Sequence, residues 1–246
     1  YWEILGNHTS RHSKFFRHDI TGLRALAVIA VMLFHFQIPG FEAGYLGVDV
    51  FFVISGYLMA SLITRDLNHN PKPRAALRVL WNFYLARARR IVPALVVLIG
   101  VLLAVGWRAL SPDDYEQLAT HARYAVTFAS NHQFYEETGY FDVASHEKWL
   151  LHTWTLSVEW QFYLIFPIVF LGTWYATGRR RSVITWLLTV LALFSFGTSA
   201  AISISNPEAG FYLLPSRAWE LLVGALVYLS ADRLLVAESR KKWLEV

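Results

Sequence analysis

The chain has 246 residues, 55% of them hydrophobic, 16% aromatic and only 16% charged, with a mean hydropathy of +0.37; that balance excludes an ordinary soluble domain of this length. It contains no cysteine, which excludes disulfide stapling, thiolate catalysis and Cys-ligated zinc. A net charge of +4 and a pI near 9.3 do not make it a nucleic-acid binder, because Lys and Arg fall in short clusters between apolar runs instead of a basic surface interleaved with aromatics.

Windows of about 19 residues, the length that crosses a bilayer as a helix, resolve six apolar segments, so the sequence predicts an all-α polytopic membrane bundle with about six transmembrane helices. Segment 23–37, extendable back to Ile20, is interrupted by Arg24 and His35. These charges, and the lack of a small-residue cleavage pattern after them, speak against a cleaved signal peptide. On a helix of about 100° per residue the two side chains come within about 20° of one direction, so they share a stripe. At about 1.5 Å rise per residue they are roughly 16 Å apart, about half the hydrocarbon thickness. Ionisable groups at that depth are costly in lipid and mark a functional-site candidate.

Segment 45–64 contains Asp49, and segment 91–107 follows Arg87, Arg89 and Arg90. Pro71 and Pro73 mark a bend between them. Stretch 108–151 is the one sizeable hydrophilic region, and apolar residues at mixed helical spacing over 115–134 predict a single amphipathic helix there. Segments 156–175, 183–204 and 211–230 complete the set, the first with Glu159 near its start and His152 just before it. Arg217 and Glu220, at i and i+3 in the last segment, are expected to neutralise each other. Trp149, Trp154, Trp160, Phe162 and Tyr163 read first as an interfacial belt, with sugar stacking as the alternative. There is no internal repeat or low-complexity tract.

Lysine and arginine fix the expected orientation. With a cytoplasmic amino terminus, the inner segments hold Arg11, Lys14 and Arg17, then Arg65, Lys72, Arg74, Arg78, Arg87, Arg89 and Arg90, then the arginines 179–181, then Arg233, Arg240, Lys241 and Lys242. The outer segments hold only Arg108, Arg123 and Lys148, beside acids such as Asp113, Asp114, Glu136, Glu137, Asp142 and Glu147. Arg24 then lies toward the cytoplasm and His35 toward the exterior. The Asn7-His8-Thr9 sequon falls on the cytoplasmic side and is taken as chance.

Five ordered motifs now combine: GLRALAVIAVMLFHF, GYLGVDVFFVISGYL, FYLARARRIVPAL, HTWTLSVEWQFYLIFP and SRAWELLVGAL. Together they resemble the acyltransferase-3 family of integral membrane acyltransferases over residues 19–229. The resemblance implies transfer of an acetyl or other acyl group from acetyl-CoA or another cytoplasmic acyl-CoA to a cell-surface glycan, such as lipopolysaccharide O-antigen, or to a lipid-linked carbohydrate. It implies no metal, and a place in the lipid bilayer of a bacterial inner (cytoplasmic) membrane. It further implies that Arg24 and His35 match the family's Arg-x10-His pair, that Arg87 and Arg90 match its Arg-x-x-Arg motif, and that Asp49 and Glu159 match recurrent acids. The chain departs from the pattern at Thr21, where an Asp is frequent, and at Trp160, where a second acid is frequent. The family commonly has more membrane helices than this chain, in some members followed by an SGNH-type domain, so residues 1–246 are expected to be a partial acyltransferase-3 transmembrane domain.

The chemistry of each side chain is consistent with such a site. A neutral His35 can take the proton of an attacking hydroxyl, or carry the acyl group itself; its bland role is to pack helices. Arg24 cannot be a base, but it can bind phosphate or stabilise a thioester oxyanion, with a structural ion pair as the bland role. Arg87 and Arg90 suit coenzyme A phosphates, although juxtamembrane arginines also simply anchor topology. Asp49 can pair with Arg24 or orient His35, and Glu159 with His152 can face the outer mouth. The competing function class is a transporter or exporter that uses Arg24, Asp49 and His35 as a proton or anion pathway; paired inverted repeats, which would favour it, are not found.

Overall fold

The computed structural model describes residues 18–69, 76–138 and 148–244, with side chains to residue 231. Regular structure there is helical throughout: α1 (His18–His35), a short 3₁₀ turn (Gly44–Leu46), α2 (Gly47–His69), α3 (Ala76–Ala109), α4 (Pro112–Val126), α5 (Ser130–Glu137), α6 (Thr153–Ala176), α7 (Arg181–Ser205), α8 (Pro207–Tyr212) and α9 (Leu214–Leu244). The sequon at Asn7, the topology residues Arg11, Lys14, Arg17, Lys72, Arg74, Asp142 and Glu147, and the bend at Pro71 and Pro73 lie outside the described residues.

Among the described residues, five helical stretches are long and apolar enough to cross a membrane: α1, residues 44–69, α3, α6 and α7. The sixth predicted segment, 211–230, falls on α8 and the first five turns of α9. Its helix is long enough, but Arg217 and Glu220 inside it lower its hydropathy. The chain is a polytopic all-α membrane bundle, and it divides into two compact units, residues 1–47 and 48–246.

In the first unit the 3₁₀ turn folds back on α1. Gly44 and Gly47 permit this: a Cβ on Gly44 would collide with the Ala30 carbonyl, and one on Gly47 would stand 2.5 Å from that of Ala27. Leu26, Ile29 and Met32 of α1 are more than half exposed, as suits side chains solvated by lipid.

In the second unit, Phe52, Met59 and Ile63 of α2, Phe83 of α3 and Leu221 and Leu229 of α9 pack around α6. Along α6 the rings of Phe162, Phe166, Phe170 and Trp174 meet at successive i, i+4 positions, with centroids 5.1, 5.6 and 6.2 Å apart, the first and last pairs stacked and the middle pair tilted. Helices α2 and α9 touch backbone to backbone: a Cβ on Gly56 would fall on the Leu221 carbonyl, and one on Gly224 on the Val53 carbonyl. Small residues at such crossings are the usual means of close helix approach in membranes. Ser195 of α7 fastens the first turn of α9, donating to the Pro215 carbonyl at 2.7 Å and accepting from Trp219 N–H at 2.9 Å.

The predicted single amphipathic helix is two helices. Ser111 caps α4 by accepting from Asp114 N–H at 3.2 Å, with Pro112 at the first helical position and Asp113 and Asp114 in the first turn. The helix ends where Thr127 turns its hydroxyl onto the carbonyls of Arg123 and Tyr124, both at 3.1 Å, and Phe128 adopts φ 54°. This places α5 against α6, joined by a buried hydroxyl ladder: Ser130 and Ser157 share a hydrogen bond of 2.7 Å, and Thr153 donates to Ser130 at 3.0 Å. The starts of α2, α6 and α9 gather at this α4–α5 end.

Candidate active site

Arg24 lies in the second turn of α1, half-buried, and His35 is its last residue, exposed. The His35 ring stands edge-on to Phe34, centroids 5.3 Å apart. Its Nδ1 lies 2.8 Å from the Val31 carbonyl. A carbonyl oxygen only accepts, so Nδ1 carries the hydrogen and the lone pair of the neutral ring sits on Nε2. The backbone thus selects the tautomer that a base at Nε2 requires.

A polar cluster lies within the second unit where α2, α3 and α6 meet. Ser55 Oγ donates to Glu159 Oε1. One turn beyond Glu159, the buried Tyr163 faces α3, and the Arg87 guanidinium stands over the rings of Phe83 and Tyr163 at 5.6 and 5.5 Å. Arg87 also lies in the field of Tyr163, Glu159 and Arg90. Arg90 and Arg89, by contrast, are exposed. Two residues expected at separate places, Glu159 at one mouth and Arg87 at the opposite membrane surface, are therefore neighbours. The reason is geometric: Arg87 lies roughly 16 Å along α3, while Glu159 lies roughly 9 Å along the antiparallel α6, so both reach the interior of the bundle.

Asp49 occupies the α4–α5 end, about 9 Å nearer to it along α2 than Ser55. Its carboxylate accepts from Arg217 Nη2 at 2.6 Å, and Arg217 Nη1 lies 2.9 Å from Glu220 Oε1 as an ion pair. The expected Arg217–Glu220 pair is present, with Asp49 as a third member from another helix. Trp154, Phe162 and Tyr163, read as a belt, are buried, while Trp160 stacks on Phe128 with centroids 4.4 Å apart. The sequence pattern read Tyr163 only as a belt aromatic and did not single out Ser55 or the Asp49–Arg217 contact. One signal was available: Glu159 and Tyr163 at i, i+4 put a carboxylate and a phenol on one helical face.

A second ionic group ties α4 to α5. His121 Nε2–H donates to Glu137 Oε1 at 2.7 Å, Gln133 donates to the same oxygen at 2.8 Å, and Lys148 Nζ lies 3.1 Å from Oε2. Burial pushes the Glu137 carboxyl up, but the bonds from His121 and Gln133, with Lys148 beyond, outweigh it and hold its pKa down to about 2. Among the described residues no group of three or more His, Asp or Glu side chains is arranged to hold a metal ion.

A family model described as an acyltransferase domain, Acyl_transf_3, matches residues 17–244. The chain belongs to the acyltransferase-3 family. Peptidoglycan O-acetyltransferase OatA of Listeria monocytogenes is 32% identical over 219 residues, 88% of this chain and 34% of that protein. O-acetyltransferase OatA of Staphylococcus aureus strain NCTC 8325 is 32% identical over 211 residues, and a putative O-acetyltransferase of S. aureus strain COL 30%, each over 85% of this chain. The chain spans about a third of the length of these curated relatives, 34% in each case. No solved structure gives a significant match. Membership in an acyltransferase family favours the enzyme class over the transporter class.

Proposed function

We propose that this bundle draws an acetyl group from acetyl-CoA, or another acyl group from its CoA thioester, on the cytoplasmic side of a bacterial inner membrane, and that the acceptor is a hydroxyl of a cell-surface or lipid-linked carbohydrate. The amino terminus is cytoplasmic in this reading, as the distribution of Lys and Arg supports. The observation that carries it is the α2–α3–α6 cluster: a cation, Arg87, drawn from the Arg-rich start of α3 to a buried phenol and a carboxylate. Exposed Arg90 and half-buried Arg87 then take the coenzyme A phosphates from the membrane surface inward. A glycan acceptor is supported by the name of the Listeria relative, which acts on peptidoglycan; an O-antigen chain offers the same hydroxyl chemistry.

In the transfer, the acceptor oxygen bonds to the thioester carbonyl carbon and the carbon–sulfur bond breaks. The hydroxyl proton passes to His35 Nε2 and from there to the departing thiolate, giving free coenzyme A. Arg24 stabilises the oxyanion, and Asp49 orients the acceptor hydroxyl. Glu159 and Ser55 hold Tyr163 against Arg87. What assigns Arg24 and His35 to the same reaction is the Arg-x10-His motif. If His35 instead carries the acyl group, an acyl-imidazole forms at the same nitrogen.

The test uses membrane vesicles holding the complete gene product, supplied with acetyl-CoA, and follows free thiol. Thiol release that disappears in Arg87→Gln/Arg90→Gln supports the donor site. Release unaffected by both changes, or absent from the parent, means that the donor is not a CoA thioester bound there.

A further inference from the structure

Arg217 keeps 14% of its side-chain surface exposed and is ringed by aromatic side chains. Its Cζ lies 5.6 Å from the Phe52 ring, 5.8 Å from Trp154 and 5.7 Å from Phe211, so α2, α6 and α8 each present an aromatic ring to it. Its two terminal nitrogens reach Asp49 of α2 and Glu220 of its own helix, and among the described residues these are the two ionisable groups in contact with it. Three rings and two carboxylates leave the guanidinium one orientation.

The two acids are not equivalent. The Glu220 side chain is 1% exposed and, among the described residues, neither of its carboxylate oxygens has a hydrogen-bond partner, so it holds Arg217 by charge alone, whereas Asp49 keeps 28% of its side-chain surface and Arg217 14%. A pair that only closed the helix packing needs one acid for one base. Here the buried acid holds one side of the guanidinium, and the half-buried acid is held by the other. Asp49 Oδ1 is committed to Arg217, which leaves Oδ2 for an incoming hydroxyl.

We infer that Arg217 is a positioning residue for acyl transfer: Glu220 and the rings of Phe52, Trp154 and Phe211 fix its guanidinium, and the guanidinium fixes the Asp49 carboxylate that receives the acceptor. The inference rests on the proposed role of Asp49 in transfer. Removing such a charge-assisted contact costs the acceptor step ~10- to 100-fold while leaving donor binding within about twofold.

The experiment measures initial rates of the complete gene product in lipid nanodiscs, normalised to folded protein by thermal melting. Acetyl-CoA and purified cell-wall glycan strands are varied in turn. Arg217→Gln is expected to raise the glycan KM or lower the glycan-dependent kcat by that factor with the acetyl-CoA KM unchanged, and Arg217→Lys to recover part of the loss. Asp49→Asn/Arg217→Gln is expected to match Asp49→Asn alone, because both changes remove one unit. Loss of folded Arg217→Gln protein with normal constants in the folded remainder overturns the inference, as does additivity of the two changes. If Arg217→Gln does not fold at all, Arg217→Lys decides: normal glycan constants in that variant contradict the positioning role. A parent that transfers nothing to glycan sinks the acceptor reading itself and the inference with it; a parent that transfers while the Arg217 variants match it sinks the inference alone.

Discussion

At the scale of single residues, the hydrogen bond from His35 Nδ1–H to the Val31 carbonyl sets the lone pair on Nε2. Arg87 is the corresponding residue of the proposed donor site. With its guanidinium over Phe83 and Tyr163, Arg87→Gln removes both charge and stacking, and the acetyl-CoA KM is expected to rise ~10-fold, about 1.4 kcal/mol, at constant membrane abundance. Arg87→Lys keeps the charge but not the planar fork and is expected to fall between the two. Equal KM values in parent and Arg87→Gln would remove Arg87 from the donor site. The candidate charges were visible in the sequence because a charge in an apolar run stands out. Their partners were not: Arg217 and Asp49 are 168 residues apart in the chain, and no local periodicity encodes such a contact. Tyr163 was hidden among the many aromatics of its segment, since a ring reads the same in a core, a belt or a site.

At the scale of elements, helix existence followed from apolar length, but helix ends and breaks did not. The 108–151 region reads as one amphipathic helix because its spacing stays helical across Phe128, whereas the break depends on Thr127 rotating its hydroxyl onto α4 carbonyls. The ion group that secures α4 to α5 yields a pH prediction. Glu137 has a folded pKa of about 2, against 4.5 unperturbed, so its stabilisation is complete above about pH 4.5 and is lost as pH falls toward 2. Thermal melting followed over this interval is expected to drop in the parent, and to drop less in Glu137→Gln. Glu137→Ala removes the carboxylate from buried His121 and is expected to destabilise by about 3–5 kcal/mol at neutral pH. A melting temperature indifferent to either change contradicts the assignment of this group as the α4–α5 tie.

The α2–α9 crossing carries a prediction of its own kind. Gly56→Ala or Gly224→Ala places a methyl on the opposing carbonyl, so the helices must separate, at about 1–3 kcal/mol or more. Detergent-solubilised melting of either variant is expected to fall, and the double variant to fall by less than the sum because one displacement accommodates both. Unchanged melting in both single variants would contradict close contact at this crossing.

At the scale of the whole molecule, composition and hydropathy were enough for a polytopic helical bundle, and the ordered motifs were enough for the family. Among the described residues, five helical stretches are long and apolar enough to cross a membrane. The sixth expected segment differs because its two charges, Arg217 and Glu220, reduce its hydropathy while pairing with each other and with Asp49; hydropathy counts each charge as a cost and cannot see its partner. The separation of residues 1–47 from 48–246 was likewise not readable, since apolar periodicity reports which residues avoid water and not which helices pack together.

The central claim is that this bundle acylates a surface carbohydrate through His35. Its most direct test is mass spectrometry of surface polysaccharide from cells carrying the complete gene, compared with His35→Ala at matched membrane abundance. An acyl mass increment present with the parent and reduced ~10²-fold or more in the variant is the predicted result, in keeping with the loss of a general base or an acyl carrier. Glycan of identical mass in the two strains would contradict it.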